Sequence, residues 1–574
     1  MISRHAQHLL PMFEPTESVG SGTPSSGPRS PLAPADERLI EYLPEPRVLP
    51  RFHIWTLGCQ MNRSDSEEMA GRLLAAGCAE APALDAADLI VINTCAIREG
   101  AEQKVIGRQG HLERLKAANP GLRVVLTGCS VQAMDGARLP RRYPAVDLFL
   151  RPDEEPELVD RLGLASAQGP VGGTTIVGRT VVGVADRLPG TRAQAVAEGA
   201  VARGSAISAW LPIIYGCDKT CTYCIVPFSR GPERSRPFDE ILHEARALAA
   251  AGYMEVTLLG QNVNSYGHDL APEPRFAAVN AERWAGRRLD VHGRPDLAEL
   301  IWAIDGLRTT EGRPAIPRLR FVTSHPWDLS DRLIATMADC RSVCTHLHLP
   351  VQSGDDTVLR QMGRQYTIEH YLERLAAIRA AVPGIAISTD MIVGFCGETE
   401  AQFEASLGLL ETVRYDQVFA AAFSPRPGTP AMRLPDDVPA ADKRRRLNIL
   451  LALQEEIGRE RNMAWTGLDV EVLVDTIVAP RSHDQAPNAV VALGSHDTLP
   501  AMHRREGQVR LSGRTRENKL VHLSGDPALL GRLVSVRVEH AGRMPSEAFS
   551  PERDADGPAR PRSLALLQAA SSAL

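Results

Sequence analysis

Three cysteines in one short stretch carry the most chemical information in this sequence. Cys217, Cys221 and Cys224 stand in CxxxCxxC spacing, with Tyr223 immediately before the third thiol. Thiolates are soft ligands that select zinc, copper(I) or iron–sulfur clusters. A structural zinc site or a closed cubane cluster uses four ligands, so three thiols leave one metal ion with an open position. The spacing therefore predicts a reactive 4Fe–4S cluster; the alternative is a zinc loop that a distant ligand completes.

A second set of thiols lies in the N-terminal part of the chain. Cys59, Cys95 and Cys129 each follow an apolar strand and precede a helical pattern, the first of which is predicted to begin at Ser64. Apolar strands that alternate with helices favour a parallel sheet, and such sheets bind ligands at the carboxyl ends of their strands. We therefore expect these thiols to come together and to hold a second cluster with an open iron. The alternative is that each is a small buried residue.

The rest of the pattern places both sets of thiols in a multidomain α/β chain. Its 574 residues suggest about three to four domains. About six strand–helix units after the CxxxCxxC loop indicate a partial (β/α)6 barrel, and a helix over 440–463 leads to short alternating strands that indicate a small antiparallel β-barrel. The predicted segments are a disordered tail (1–48), an N-terminal α/β domain (50–165), a linker or insertion (166–205), the barrel (206–445), with a loop-like insertion at 265–315, the small β-barrel (462–542) and a tail (545–574).

Composition limits the classes of function. The formal net charge is -6, so any contact with nucleic acid must rest on a local basic face, such as 501–545 with its nine Lys or Arg against four Asp or Glu. No apolar run is long enough to span a bilayer, and ten cysteines in 574 residues do not form a disulfide scaffold. We expect a cytoplasmic protein without a membrane partner, and a monomer.

At this point the sequence resembles a known family. The CxxxCxxC loop with its aromatic residue is similar to that of the radical S-adenosylmethionine superfamily. The order of a triple-thiol α/β domain, this barrel and a small basic β-barrel resembles the methylthiotransferases, whose last part is the RNA-binding TRAM domain. The local sequences at 92–99, 221–228, 346–354 and 390–395 also match those of this family. The segment Gly513–Lys519 (GRTRENK) is similar to that of the branch called MiaB.

The resemblance implies a reaction and its cofactors. Cys217, Cys221 and Cys224 would hold a 4Fe–4S cluster that generates a radical from S-adenosylmethionine. The other three thiols would hold an auxiliary 4Fe–4S cluster that carries the donated sulfur. The implied product is the 2-methylthio form of N(6)-dimethylallyladenosine next to the anticodon of tRNA, with an electron donor such as a flavodoxin or ferredoxin. The alternatives are the same chemistry on another tRNA adenosine or on a ribosomal-protein side chain, or a non-catalytic iron–sulfur RNA-binding protein.

Other residues are assigned to binding through the same resemblance and their position at strand ends. The cofactor set, for which ordinary packing or turns are the alternative, is Tyr223, Gly260, Gln261, Asn262, Asp390 and Gly394. Arg514, Arg516 and Lys519 are predicted to contact RNA phosphates.

Two further groups of residues are read as structural. His346 and His348 are interpreted as polar residues lining the barrel mouth, with metal ligation as the alternative. Cys78, Cys340 and Cys344 are interpreted as packing residues. Cys396 replaces a proline that the family usually has, which leaves a thiol near the cofactor.

Overall fold

The computed structural model describes residues 49–96, 99–133, 138–164, 201–287, 289, 293–478 and 509–541, together with the backbone of one strand at Leu564–Leu567. The predicted tail 1–48 lies outside the described residues, as do nearly all of the predicted linker 166–205 and most of the segment 545–574. None of the described helices combines the length and the apolar character that a bilayer-spanning segment requires.

The N-terminal domain is a parallel sheet, as predicted. Its central strand is buried along its whole length: four of its residues are apolar, and Asn93 donates to Asn62 O and Ser66 Oγ of the first helix. The strands, in the spatial order β2-β1-β3-β4-β5, are β1 Arg51–Leu57, β2 Ala79–Glu80, β3 Leu89–Thr94, β4 Arg123–Gly128 and β5 Leu148–Phe149. The helices are α1 Gln60–Ala75, α2 Glu99–Gly107, α3 Gln109–Ala118, α4 Cys129–Ala133, α5 Leu139–Arg142 and α6 Leu158–Arg161.

The first helix begins four residues before the predicted start. Cys59 is its N-cap, and the backbone N–H of Cys59 donates to Asn62 Oδ1 at 3.3 Å. Ser64, the predicted N-cap, is a buried residue inside the helix. Because a cysteine is a rare cap, the sequence pattern favoured the serine. The consequence is that the thiol of Cys59 sits at the junction of strand and helix.

The second domain is a half-barrel of parallel strands, which confirms the predicted architecture. Its strands are β6 Ser208–Pro212, β9 Glu255–Leu259, β10 Arg318–Phe321, β11 His346–His348, β12 Ala386–Val393 and β13 Gln417–Ala422. They form two sheets, β10-β9-β6 and β11-β12-β13, which a parallel bridge between Leu319 and Val343 joins. A short antiparallel hairpin, β7 Ile214–Tyr215 and β8 Arg234–Ser235, encloses the CxxxCxxC loop.

Helices connect and flank the strands of this half-barrel. They are α7 Val226–Arg230, α8 Phe238–Ala250, α9 Pro274–Arg283, α10 Leu297–Asp305, α11 Asp331–Asp339, α12 Asp356–Gln361, α13 Ile368–Ala381, α14 Glu400–Val413 and α15 Ala440–Met463. Two of them, α9 and α10, fall in the stretch 265–315 that the sequence indicated to be loop-like. The last has the bounds that the sequence predicted.

The third domain is a small closed barrel. Its strands, in the order β14-β15-β16-β18-β17, are β14 Asp469–Ile477, β15 Val509–Thr515, β16 Leu520–Gly525, β17 Leu533–Ala541 and β18 Leu564–Leu567. The pairings are antiparallel as predicted, except that β17 and β18 run parallel. The strand β18 lies within the segment interpreted as a tail; it is a short apolar run that closes the gap between two edge strands.

Candidate functional site

The three N-terminal thiols lie together at one edge of their sheet. Leu57, Thr94 and Gly128 are paired in one row across β1, β3 and β4, and each predicted ligand follows one of them by one or two residues. A Cβ added at Gly58 would lie 3.1 Å from the Cβ of Cys95. A Cβ added at Gly128 would lie 2.2 Å from the carbonyl oxygen of Thr94, so only glycine permits this approach of the two chains. The structure therefore places these thiols side by side, as the topology predicted.

A cation from the second domain reaches this group of thiols. The Nε–H of Arg230 donates to Cys129 Sγ at 3.1 Å, and its Nη2 lies 2.7 Å from Asp65 Oδ2. Burial raises the pKa of Cys59, and Arg230 opposes that rise. Glu155 lies nearby and accepts a hydrogen bond from Thr127 at 2.7 Å; its burial, together with Asp65, raises its pKa well above the usual range. Arg230 thus links the thiol edge of the first domain to the barrel.

The CxxxCxxC loop is anchored by backbone hydrogen bonds. Cys217 N–H donates to Gly231 O at 3.2 Å, and Thr222 N–H donates to Met362 O at 2.9 Å. Burial raises the pKa of Cys217 to about 11 and that of Cys224 to about 12. Without a metal these thiols keep their protons at neutral pH, and metal binding must displace them.

The turn that follows α12 holds the other side of this loop. Gly363 has φ +71°, and a Cβ there would lie 2.6 Å from the backbone oxygen of Thr220. This close approach brings the next residue, Arg364, into the site. Its Nη1–H donates to Cys221 Sγ at 3.2 Å, and its Nε–H donates to the hydroxyl of Tyr366 at 2.8 Å.

One short helix joins the two groups of thiols. The helix α7 begins two residues after Cys224 and ends at Arg230, which contacts Cys129. The helix α4, which begins with Cys129, packs against α7. The structure therefore brings both predicted triplets to the two ends of α7.

The spacing of the thiols differs from that of a single-ion site. Within the described residues, no three His, Cys, Asp or Glu side chains are grouped closely enough to enclose one metal ion. In a tetrahedral zinc site with Zn–S of about 2.3 Å the sulfurs lie about 3.8 Å apart. A cubane instead binds each thiolate to a different iron atom, and its thiols are spread more widely.

Comparison with known proteins agrees with this geometry. Residues 211–410 match the model of the radical SAM superfamily, and residues 51–151 match that of the uncharacterized protein family UPF0004. The chain is 40% identical over 494 residues to the tRNA-2-methylthio-N(6)-dimethylallyladenosine synthase of Moorella thermoacetica, which covers 85% of this chain and 96% of that one. It is 41% identical over 492 residues to the protein of the same name from Carboxydothermus hydrogenoformans, with the same coverage of both chains.

The chain belongs to this methylthiotransferase family. Among solved structures it is similar to the radical S-adenosylmethionine methyltransferase TsrM of Kitasatospora setae, with a TM-score of 0.45, 13% identity and coverage of 66% of this chain and 77% of that one. As a radical SAM protein, the methylthiotransferase uses S-adenosylmethionine and a 4Fe–4S cluster.

Two of the predicted cofactor residues have free acceptors that suit S-adenosylmethionine. Gln261 Oε1 and Asn262 Oδ1 are buried and accept no hydrogen bond from any described residue. The amide of Asn262 donates to Asp328 Oδ2 at 2.7 Å, and Asp328 pairs with Lys219 of the CxxxCxxC loop at 2.8 Å. These orphaned oxygens therefore lie beside the loop and can accept from an ammonium group such as that of the methionyl part of the cofactor.

The other predicted cofactor residues have structural contacts of their own. A Cβ at Gly260 would lie 2.3 Å from Ile214 Cγ2, and one at Gly394 would lie 2.4 Å from Lys443 Cγ. Tyr223 packs against an apolar cluster that includes Phe395. In addition, one carboxylate oxygen of Asp390 lies 3.5 Å from His348 Nε2. Packing thus explains both glycines, while a role in binding the cofactor stays a prediction for this set.

The histidines and remaining cysteines of the methylthiotransferase are structural, as the sequence indicated. His346 Nε2 and His348 Nδ1 lie 3.0 and 2.9 Å from Ser388 Oγ, so both rings are held by one hydroxyl. The remaining thiols are all buried, at Cys78, Cys340, Cys344 and Cys396. Cys396 is 5% exposed and lies in the apolar cluster with Phe395, which shields it from oxidants.

The structure corrects the prediction for Lys519 of the GRTRENK hairpin and gives Arg514 and Arg516 partners within the protein, while a contact of these two arginines with RNA stays a prediction. Lys519 is 4% exposed, and its Nζ lies 2.8 Å from Asp416 Oδ1 and 3.0 Å from Asn462 Oδ1. Arg516 donates to the carbonyl oxygens of residues 341 and 343, both at 2.6 Å, and Arg514 donates to Asn518 O at 3.2 Å. Arg516 and Lys519 thus bind acceptors of the half-barrel that the sequence could not reveal, whereas Arg514 binds within the hairpin.

Two buried arginines of β10 complete this contact between the second and third domains. Arg318 donates to Arg514 O at 2.6 Å and to Glu471 O at 3.1 Å. Arg320 donates to the carbonyl oxygens of residues 515 and 516 at 2.7 and 3.1 Å. The hairpin is therefore a lock that fixes the small barrel against the half-barrel.

Two aromatic side chains stand exposed close to the predicted metal centres. Phe228, on α7 between the two groups of thiols, is 48% exposed. Trp327, which is 53% exposed, precedes Asp328, the partner of Lys219 in the CxxxCxxC loop. The sequence analysis did not assign a role to either of them, or to Arg230 and Arg364. The position of Phe228, four residues after the last cysteine of the CxxxCxxC loop, was a signal that could have been used.

Proposed function

We propose that this protein is a tRNA methylthiotransferase that converts N(6)-dimethylallyladenosine next to the anticodon into its 2-methylthio form. The observation that carries the proposal is the placement of two three-thiol groups at the two ends of the single helix α7. The residues at the two ends of this helix would hold the two clusters, so a base bound beside the helix would lie close to both groups of ligands. The similarity to synthases of that name supports the choice of substrate.

The reaction needs a radical because the C-2–H bond of an adenine is not acidic. When bound, the 4Fe–4S clusters and S-adenosylmethionine supply the radical, the sulfur and the methyl group, and the protein supplies position. In this proposal Cys217, Cys221 and Cys224 hold the cluster that meets S-adenosylmethionine. The auxiliary cluster rests on the three N-terminal thiols.

The residues around the thiols have distinct tasks in this proposal. Arg230 holds Cys129 and Asp65 and so fixes the first domain against the barrel. Gln261 and Asn262 accept from the ammonium group of S-adenosylmethionine through their free oxygens. Asn262 also donates to Asp328, and Asp328 pairs with Lys219 of the CxxxCxxC loop. Asp328 therefore connects the proposed cofactor site to that loop.

The contact with RNA is proposed to rest on the exposed aromatic residues. Single-stranded and looped RNA is recognised by bases that stack on aromatic side chains. Phe228 projects from the helix between the two groups of thiols, where the substrate base or its neighbour must come, and Trp327 flanks the loop. The protein is proposed to act as a monomer that takes electrons from a flavodoxin or ferredoxin.

The function is tested by mass spectrometry of tRNA nucleosides. A strain that lacks the protein should lose the 2-methylthio nucleoside and accumulate N(6)-dimethylallyladenosine. The parent protein and Cys78→Ala, which changes a buried thiol outside both groups, should restore the product, whereas Cys95→Ala should not. An unchanged nucleoside profile in the deletion strain would indicate that the substrate is another adenosine or a ribosomal-protein side chain.

A further inference from the structure

Within the described part of the chain, one buried arginine has no carboxylate partner. Seven arginines of the described residues are buried. Six of them form an ion pair with a glutamate: Arg203, Arg236, Arg318, Arg320, Arg332 and Arg446. For Arg364, which is 9% exposed, no Asp or Glu in the described part of the chain forms such a pair. A buried charge without a counter-charge is costly, so its neighbourhood must supply an anion.

The contacts of Arg364 identify that anion. Its Nε–H donates to the hydroxyl of Tyr366 at 2.8 Å, its Nη2–H to Pro350 O at 3.0 Å, and its Nη1–H to Cys221 Sγ at 3.2 Å. Of these groups, the thiol is the one that becomes anionic when it binds iron. The guanidinium is held in place from both sides, because Tyr366 is itself fixed by the carbonyl oxygen of Val351 at 2.9 Å. Arg364 therefore points a fixed positive charge at one ligand of the proposed cluster.

We propose that Arg364 raises the reduction potential of the cluster at Cys217, Cys221 and Cys224 through its hydrogen bond to the Cys221 sulfur. This inference rests on the proposed cluster and not on the choice of RNA substrate. Reduction adds one electron, which a low-potential flavoprotein or iron–sulfur donor supplies, and no proton moves. The reduced form carries one more negative charge, so a nearby cation stabilises it more than the oxidised form. Hydrogen bonds to the sulfurs act in the same direction.

The comparison with Arg230 supports a specific role. Arg230 also donates to a thiol, but Asp65 at 2.7 Å neutralises its charge. No carboxylate in the described residues pairs with Arg364, whose Nη1–H instead donates to Cys221 Sγ at 3.2 Å. Arg364 is therefore expected to change the reduction potential of its cluster more than Arg230 changes that of the other cluster. It acts through Cys221 and does not need to contact the substrate.

The test is a redox titration followed by electron paramagnetic resonance, without S-adenosylmethionine. The full chain carries Cys59→Ala, Cys95→Ala and Cys129→Ala, so that only one cluster contributes to the signal. We compare Arg364→Gln, which removes the charge, with Arg364→Lys, which keeps it. The matched control is Arg360→Gln, since Arg360 is an exposed arginine on the neighbouring helix α12.

At the midpoint potential of the background chain, Arg364→Gln should lower the ratio of reduced to oxidised cluster at least tenfold, which is about 59 mV for a one-electron couple. Arg364→Lys should stay within about threefold of the background chain, and Arg360→Gln should not differ from it.

Two results would overturn the redox role of Arg364, and a third would contradict the cluster on which that role rests. The first is a ratio for Arg364→Gln within threefold of the background chain, at equal iron content. The second is loss of iron from Arg364→Gln alone or from both Arg364 variants, which would assign the residue to retention of the cluster. The third is a background chain that holds no iron; that result would instead contradict the proposed cluster itself, so the two failures are distinguishable.

Discussion

The lock between the half-barrel and the small barrel makes a quantitative prediction for Arg318→Met. Arg318 is fully buried, and methionine keeps most of its apolar volume. The change removes two hydrogen bonds from a charged donor to backbone oxygens, at 2.6 and 3.1 Å. A hydrogen bond to a charged group contributes about 1.5–3 kcal/mol. The ion pair with Glu471 adds little, because that carboxylate is 47% exposed.

The loss of both bonds should therefore cost about 3 kcal/mol, since removal of the buried charge returns part of its desolvation penalty. At about 1.4 kcal/mol for each factor of ten, amides that open with the hairpin 513–519 should exchange about a hundredfold faster. Hydrogen–deuterium exchange with mass spectrometry measures this directly in peptides that span β15 and β16.

Arg537→Met is the matched control for this experiment. Arg537 lies on the same small barrel, is 58% exposed, and its Nη1 is 3.6 Å from Asp469 Oδ2. An exposed pair of this kind contributes under about 1 kcal/mol, so the exchange of the hairpin should change less than about fivefold. If Arg318→Met left hairpin exchange as slow as this control does, the bonds of Arg318 would not fix the small barrel against the half-barrel.

Three other substitutions test separate parts of the account. Gly363→Ala should speed the loss of iron from the CxxxCxxC loop to a chelator, because its Cβ would lie 2.6 Å from Thr220 O, whereas Gly384→Ala, at a similar φ with nothing within 4 Å, should not. Phe228→Ala should raise KM for tRNA about tenfold, as expected for one lost stacking contact, with iron content and KM for S-adenosylmethionine unchanged; an unaltered KM would exclude Phe228 from RNA binding. Burial acts to raise the pKa of Asp416, but Lys519 and Arg461 outweigh it and hold that pKa below its usual value of about 3.9. Its contribution to stability is thus present above pH about 4 and lost as the pH falls through the lowered pKa, so the difference in urea midpoint between the parent and Asp416→Asn should shrink from pH 7 towards pH 3.5; a constant difference would contradict the ion pair.

Local patterns in the sequence were sufficient for most of the elements and for the positions of the thiols, although they missed α9, α10 and β18. The alternation of apolar strand, cysteine and helix predicted that Cys59, Cys95 and Cys129 meet at one sheet edge, and the row Leu57–Thr94–Gly128 places them there. The helix Ala440–Met463 was predictable because its pattern is long and uninterrupted.

Contacts between distant residues could not be predicted in this way. Arg230 and Cys129 are 101 positions apart, and Arg364 and Cys221 are 143 positions apart. No local pattern distinguishes an arginine that reaches a thiol from one that faces solvent. The same limit explains the hairpin: its basic residues suggested RNA, but Arg516 and Lys519 bind acceptors at 341, 343 and 416, in segments of another domain that precede its strands.

The central claim is that two open clusters stand on six cysteines at the two ends of α7. The most direct test is the iron and sulfide content of the full chain after reconstitution under argon, for the parent and for two variants that each replace one triplet by alanine. We expect about eight irons in the parent and about four in each variant. A parent chain with about four irons, or a variant of Cys59, Cys95 and Cys129 that keeps the parent's content, would show that the N-terminal thiols hold no cluster and that the sulfur has another source.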